Sequence, residues 1–258
     1  MFRPQIIGFV CNWSLPTDVE ITSPQGVDGY PKCNIVRLAC AGRIDPAILL
    51  ETFIKGADGV LVVGCPSPDC HYVEGNVQAE GKIRILKKLL SLTGLQPSRL
   101  RLEWAYVTDI EAFARIVDDF RNQVTRLGES PLAGKIVDEK ILTSVLAAKN
   151  AAGDFRLRLM TGREEDLAET ANVYGELLPK GEFDDVLEKV IEEEFIRHKI
   201  QLLARQKPIS VRELGTKLDL DAAMILSHIV EMRRKGMITL DHVENTTPLY
   251  KALEVKQA

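Results

Sequence analysis

The sequence predicts an α/β fold in its first half, with a parallel sheet covered by helices on both faces. Two observations support this prediction. Short apolar segments rich in β-branched residues recur between residues 5 and 107, and segments with helical periodicity separate them. Strands buried on both faces are apolar throughout, which is the pattern seen here. The 258 residues are 45% hydrophobic and 27% charged, a composition that excludes intrinsic disorder.

Four strands and three helices are predicted in this half. The strands cover residues 5–11 (QIIGFVC), 34–40 (NIVRLAC), 59–65 (GVLVVGC) and 100–107 (LRLEWAYV), and the helices cover residues 46–55, 76–92 and 109–127. Asp45 is the predicted N-cap of the first helix, with Pro46 at its first position, and Gly128 ends the third. The size and alternation indicate a small flavodoxin-like domain over residues 1–128.

The second half is organised differently. Between residues 129 and 181, Gly and Pro separate short helical pieces, which indicates a helical connector. Residues 182–258 then show helical segments at 183–204, 210–218 and 221–235 and short extended segments at 237–241 and 249–253. This order is typical of a winged helix-turn-helix-like domain. Residues 129–194 carry 16 acidic and 8 basic side chains, whereas residues 195–258 carry 7 and 11.

The cysteines carry the clearest chemical signal. All five lie in the first 70 residues, and Cys11, Cys40 and Cys65 each end a predicted strand. The carboxyl ends of parallel strands meet at one edge, where such sheets bind their ligands. Cys70 follows Cys65 by five residues, so four thiols are expected to face one centre. Cys33 sits at the start of the strand that Cys40 ends, about 20 Å from Cys40, and is expected to lie outside that centre.

Four converging thiolates suit either zinc or an iron–sulfur cluster. A single C-x4-C pair with the other cysteines far apart in sequence favours the cluster, because structural zinc sites prefer close CxxC pairs. The alternative is that the cysteines are buried as small apolar side chains. No export signal is recognised and the apolar run at 59–64 is far shorter than a membrane span, so a cytoplasmic location without a membrane span is expected.

Several ordered motifs resemble a known family, the delta subunit of methyl-viologen-reducing hydrogenase. The resemblance covers about residues 5–127, roughly half the chain. It rests on residues 8–13 (GFVCNW), 40–43 (CAGR), 45–46 (DP), 57–62 (ADGVLV) with 64–65 (GC), 69–72 (DCHY) and 101–104 (RLEW). The family usually has a second cysteine at position 14, where this sequence has Ser14. The expected ligands are therefore Cys11, Cys40, Cys65 and Cys70, with Ser14 or Cys33 as possible substitutes.

The resemblance implies a non-catalytic electron-transfer subunit of an oxidoreductase complex, with one 2Fe-2S cluster, in the cytoplasm of an anaerobe. Its expected donor is a hydrogenase, a formate dehydrogenase or an NADH module. Its expected acceptor is the flavin-containing subunit of a heterodisulfide-reductase-type complex that performs electron bifurcation. Arg43 is a candidate for partner contact, with a surface ion pair as the alternative. His71 is a candidate donor to a cluster sulfur, with a loop histidine bonded to backbone as the alternative.

A redox-sensing iron–sulfur transcription regulator is the alternative function, since a winged helix often binds DNA. The predicted recognition helix, residues 221–235, begins with an acidic residue and carries its basic residues only at its end. Those three cations also suit the negative end of the helix dipole. A protein-docking role is therefore favoured over nucleic-acid binding for the C-terminal domain.

Overall fold

The computed structural model describes residues 2–15, 33–162, 175 and 180–253. Four strands form a parallel sheet in the order β2-β1-β3-β4. They are β1 (Ile6–Cys11), β2 (Asn34–Leu38), β3 (Gly59–Gly64) and β4 (Leu100–Trp104). Every residue of β3 is buried, as expected for a central strand covered on both faces. The α/β class with a parallel sheet is confirmed.

Helices cover both faces of this sheet. They are α1 (Pro46–Ile54), α2 (Gly75–Ser91) and α3 (Ile110–Leu127), with short 3-10 turns at Ala41–Arg43 and Pro97–Arg99. Alternation along β3 divides the core: Val60 and Val62 pack on the α1 and α2 side, and Leu61 and Val63 pack on the α3 side. Asp45 caps α1 as predicted, since its carboxylate accepts a hydrogen bond from the Ala47 N–H at 2.9 Å.

A buried arginine fixes the amino edge of the sheet. Arg99 is 1% exposed, and its guanidinium donates to four backbone carbonyls at 3.0–3.3 Å, those of Asp58, Leu127, Gly128 and Glu129. The Asp58 carboxylate accepts from the backbone N–H groups of Gln5 at 2.8 Å and Ser130 at 2.7 Å. The start of the sheet and the end of α3 are thus held by hydrogen bonds that the chain supplies itself.

Three further helices extend the core on the α1 and α2 side. They are α4 (Glu139–Ala152), α5 (Phe155–Gly162) and the long α6 (Lys180–Gln206). α4 packs against α1 and α6, and α6 also contacts α2. Buried residues of α4 and of the first half of α6 belong to the same core as those of the sheet. Lys149 of α4 forms an ion pair with Glu51 of α1, which lowers the pKa of that carboxyl group.

The C-terminal residues form a second core around a three-stranded antiparallel sheet of order β5-β7-β6. Its elements are β5 (Ile209–Ser210), α7 (Val211–Leu218), α8 (Ala222–Arg234), β6 (Ile238–Glu244) and β7 (Thr247–Ala252). Ile200 and Ala204 of α6 pack into this core, so one helix takes part in both. The winged-helix assignment stays a prediction. In the described part of the chain, no helix is both long and apolar enough to cross a membrane.

Candidate metal centre

Four cysteines lie at the carboxyl edge of the parallel sheet. Cys11 is the last residue of β1, and Cys65 directly follows β3. Cys40 comes two residues after β2 ends and caps the turn Ala41–Arg43, where its sulfur accepts from the Gly42 N–H at 3.4 Å. Cys70 lies in the loop that leads into α2. Each of the four residues is at most 9% exposed, so the thiols lie just beneath the surface.

The sulfurs of Cys11 and Cys65 form a close pair, 3.7 Å apart. Two thiolates bound to one tetrahedral metal at about 2.3 Å are separated by about 3.8 Å. Burial, together with the nearby Cys65 thiol, raises the pKa of Cys11 to about 11. The spacing of the two sulfurs therefore matches what one metal ion would require.

The sulfurs of Cys40 and Cys70 converge on Gly75, the first residue of α2. A Cβ atom at Gly75 would overlap the Cys40 sulfur and would lie 3.3 Å from the Cys70 sulfur. The two sulfurs are consequently less than about 6 Å apart. Gly42 also packs closely on Gly75, because a Cβ at position 42 would overlap the backbone of Gly75. The turn after Cys40 thus packs directly on the start of α2.

The two pairs meet at the loop between β2 and α1. The Cys11 sulfur lies 3.7 Å from the carbonyl oxygen of Ala39, the residue immediately before Cys40. Lys82 of α2 steadies the same loop, since its ammonium donates to the carbonyls of Gly42 at 2.6 Å and Ile44 at 3.3 Å. Burial lowers the pKa of Lys82. The two thiol pairs therefore lie on adjoining loops at one edge of the sheet, and a half-buried lysine lies beside the Cys40 loop.

Cys33 and Ser14, the two candidate substitutes, lie in different surroundings. Cys33 packs with the core on the α3 side of the sheet, and its sulfur is 3.7 Å from the carbonyl oxygen of Ile6. Burial raises its pKa to about 12. Ser14 is 1% exposed, and its hydroxyl has no hydrogen-bond partner among the described residues. That Cys33 is not a ligand stays a prediction, which its position supports.

Aromatic rings lie on the loops that carry two of the cysteines. The Trp13 ring stacks on the His71 ring, with centroids 3.5 Å apart and planes 15° apart, and His71 meets Tyr72 edge-on at 4.9 Å. Trp13 follows Cys11 by two residues and His71 directly follows Cys70. The stack therefore joins two of the cysteine loops. Arg43 lies on the exposed surface beside Cys40.

The sequence reasoning missed Gly75 and Lys82. Gly75 has no local signature, because its importance comes from two sulfurs brought to it by other loops. Lys82 resembles any lysine of a surface helix until the fold places the turn after Cys40 against it. The predicted cysteine set came from three strand ends, at Cys11, Cys40 and Cys65, and from the short spacing between Cys65 and Cys70. That all four cysteines bind one metal centre stays a prediction at this point.

A second polar cluster lies away from the cysteines, where α5 meets α6. Oxygen or nitrogen atoms of Asp154, Glu194 and His198 lie within 4.8 Å of one another. Glu194 is fully buried, and its carboxylate accepts hydrogen bonds from Arg197 at 2.5 Å, Arg156 at 3.2 Å and Lys235 at 3.3 Å. Three cationic side chains already neutralise the negative charge of this cluster. We therefore interpret it as an ion-pair network and not as a metal site. The Glu194–His198 spacing of four residues was its only sequence signal.

A parallel sheet with four thiols gathered at its carboxyl edge defines a class of α/β domain suited to hold a metal or metal cluster on its loops. The family model for the methyl-viologen-reducing hydrogenase, delta subunit, matches residues 6–128. The match spans all four strands and all four cysteines of the site. The resemblance seen in the motifs is confirmed, and the chain belongs to this family.

Individual relatives have the same character. An F420-non-reducing hydrogenase iron-sulfur subunit of Archaeoglobus profundus is 35% identical over 127 residues, 49% of this chain and 93% of that protein. The F420-non-reducing hydrogenase vhc iron-sulfur subunit of Methanococcus voltae is 32% identical over 138 residues, 52% of this chain and 96% of that protein. A ferredoxin:CoB-CoM heterodisulfide reductase subunit of Methanosarcina mazei is 31% identical over 142 residues, 55% of this chain but only 18% of that protein. These names support an iron–sulfur cofactor and an electron-transfer role.

Proposed function

We propose that this protein is an electron-transfer subunit with one 2Fe-2S cluster held by Cys11, Cys40, Cys65 and Cys70. The observation that carries the proposal is the pairing of the sulfurs, Cys11 with Cys65 at 3.7 Å and Cys40 with Cys70 at Gly75. Two pairs of thiolates are the ligand set for a cluster of two irons. The relatives named iron-sulfur subunits add independent support.

The chain's own groups favour negative charge at these sulfurs. The Gly42 N–H points at the Cys40 sulfur, and the Lys82 ammonium lies on the same turn. Hydrogen bonds and nearby cations make a cluster easier to reduce, because reduction adds negative charge. A bound cluster would supply one-electron transfer, and the burial of the four cysteines keeps water away from it. No catalytic role is proposed for any side chain.

The proposed partners follow from the relatives. We propose that the protein receives electrons from a hydrogenase, formate dehydrogenase or NADH module. We propose as acceptor the flavin-containing, electron-bifurcating subunit of a heterodisulfide-reductase-type complex, in the cytoplasm of an anaerobe. Likeness to the iron-sulfur subunits of hydrogenases supports the first partner. Likeness to a segment of two heterodisulfide reductase subunits supports the second, because the same domain occurs there inside a longer reductase chain.

The remaining residues are proposed to dock the chain in its complex, with units at 1–128, 129–181 and a winged-helix-like unit at 182–258. The exposed side chains of α8 favour protein contact over DNA. Met224, Leu226 and Val230 are 43%, 48% and 52% exposed, and such apolar groups suit a protein interface. A DNA-reading helix would present Arg, Lys, Asn or Gln there. The alternative of a redox-sensing transcription regulator is therefore the weaker proposal.

The test is metal analysis of anaerobically purified protein, with the electron paramagnetic resonance spectrum recorded after dithionite reduction. About two irons and two sulfides per chain are expected from the cluster type. The Cys40→Ala variant is expected to lose them, and the matched Cys33→Ala variant is expected to keep them. One zinc per chain, or no metal, would contradict the proposal. Binding of the wild-type protein to DNA in a mobility-shift assay would favour the alternative.

A further inference from the structure

Exposed apolar side chains concentrate around the cysteine site. They lie on the loops that follow β1, β3 and β4 and on the first turn of α2, all at the carboxyl edge of the sheet. The large ones, with exposed fractions between 37% and 78%, are Trp13, Tyr72, Val73, Val77, Tyr106 and Val107. Contiguous exposed apolar surface on a protein marks a contact site for another molecule. We call this surface the aromatic face.

The aromatic face is built on the loops that carry Cys11 and Cys70. Cys70 is placed between Asp69 and His71, and it is the most exposed of the four cysteines at 9%. Trp13, stacked on His71, links this loop to the one that carries Cys11. The Tyr106 hydroxyl donates to the Asp69 carboxylate at 3.0 Å and so ties in the loop after β4. The rings are held in place by one another, which reduces the entropy lost on binding.

On the described loops of the aromatic face, charge has one sign. Residues 8–15, 65–81 and 104–114, which form its loops, contain no Lys or Arg. Their acidic residues are Asp69, Glu74, Glu80, Asp109 and Glu111. Positive charge lies instead on the other side of the Cys40 loop, away from the aromatic face. Arg43, Lys82 and Arg158 line a cavity of about 370 Å³ there. An acidic rim around apolar rings complements a partner with basic residues around an apolar centre.

We propose that the aromatic face is the docking surface for a redox protein whose contact surface has an apolar centre and a Lys- and Arg-rich rim. This inference rests on the electron-transfer function proposed above. Electron tunnelling weakens steeply with distance, so a partner must approach close to the sulfurs. Cys70, the most exposed of the four cysteines, lies on the aromatic face. In the step itself the reduced centre loses one electron and the docked partner gains one, and no proton or bond is exchanged. Aromatic side chains with charged surroundings give such a contact both affinity and steering.

The test uses ferric cytochrome c, a basic haem protein, as a defined electron acceptor. Protein reduced with dithionite and freed of excess reductant is mixed with it in a stopped-flow instrument, and ferricyanide, a small anion, serves as the second acceptor. With cytochrome c, the bimolecular rate is expected to fall as salt is added. The Asp69→Asn/Glu74→Gln double variant is expected to lower that rate about tenfold at low salt, without lowering the rate with ferricyanide.

Matched controls separate docking from general charge and from folding. Asp184→Asn/Glu188→Gln removes two negative charges from α6, where they pair with Arg84 and Lys88, and is expected to leave the cytochrome c rate unchanged. Tyr72→Ala tests the apolar centre and is expected to slow the reaction at high salt as well. Iron content of each variant confirms that the site is intact. Equal rates for the wild type and the Asp69/Glu74 variant, at full iron content, would overturn the docking inference and leave the electron-transfer function standing. A wild type without iron would overturn both.

Discussion

The two edges of the parallel sheet are built on opposite principles. At the amino edge, the Arg99 guanidinium meets four carbonyls, and the Asp58 carboxylate meets two backbone N–H groups. Every strong donor described there has an acceptor within the chain. At the carboxyl edge, thiols meet other thiols, as Cys11 meets Cys65 at 3.7 Å. Two weak donors facing each other gain little from the contact.

The difference shows which edge needs another component. The amino edge is complete within the protein, so its buried polar groups contribute stability. The carboxyl edge buries sulfurs close together, and burial disfavours their charged form, as the raised pKa of Cys11 shows. Such an arrangement is stabilised when a cation replaces the thiol protons. Three substitutions test this contrast.

The largest effect on stability is expected at the amino edge, from Arg99→Met. Methionine fills similar space but leaves the four carbonyls without their donor, and each unpaired buried group costs about 1–3 kcal/mol. Since water can reach some of these carbonyls after the change, we expect a loss of roughly 3 kcal/mol in the free energy of unfolding, measured by urea denaturation. Arg101→Met, on the neighbouring strand β4, removes a partly exposed ion pair with Glu103 and should cost less than about 1 kcal/mol. Similar losses of unfolding free energy in the two variants would contradict the proposal that Arg99 stabilises the amino edge through its four carbonyl contacts.

A moderate loss of stability and a large loss of metal are expected from Gly75→Ala at the carboxyl edge. The added Cβ overlaps the Cys40 sulfur, so the loop or the start of α2 must move, at a cost of about 1–3 kcal/mol. Iron per chain should fall well below that of the wild type. Gly153→Ala is the matched control, because Gly153 has a φ of −85° and a Cβ there meets no atom closer than 3.5 Å. Full iron content in Gly75→Ala would mean that the sulfurs do not need this contact.

The smallest effect on stability is expected from Lys82→Met. Its half-buried ammonium supports two carbonyls, against four for Arg99, so the cost should be about 1 kcal/mol. The informative readout is the midpoint potential of the bound centre, from a redox titration followed by electron paramagnetic resonance. Removal of a nearby cation should make that potential more negative. Lys87→Met, on the exposed surface of the same helix, should leave it unchanged. Equal potentials in both variants would assign Lys82 a purely structural role.

Much of the fold was predictable because its signals are local. The central strand is apolar along its whole length, and Asp45, Asp109, Ser210 and Asp221 each cap the helix that the sequence predicted to begin there. The strand ends were less accurate. The sequence predicts that the fourth strand runs to residue 107, yet β4 ends at Trp104. The apolar residues Tyr106 and Val107 belong instead to the exposed surface of the aromatic face.

The candidate site was predictable only in part, for a related reason. Cysteines at strand ends could be placed on one edge from topology alone, although β2 ends at Leu38 and Cys40 starts the next turn instead. The supporting contacts could not be placed. Gly42 meets Gly75 from 33 positions away, and Lys82 reaches back 40 residues to the carbonyl of Gly42. Contacts between such distant segments depend on the packed structure and leave no pattern in the sequence.

Helix α6 has a consequence for assembly. Its 27 residues extend over about 40 Å, and its two ends are embedded in different cores, with Phe183 and Leu187 in one and Ile200 and Ala204 in the other. The helix therefore connects the core of the parallel sheet to the core of the C-terminal sheet. Neither end can turn without breaking side-chain packing that it shares with its core. If partner proteins bind both cores, the length of this one helix therefore sets the distance between them.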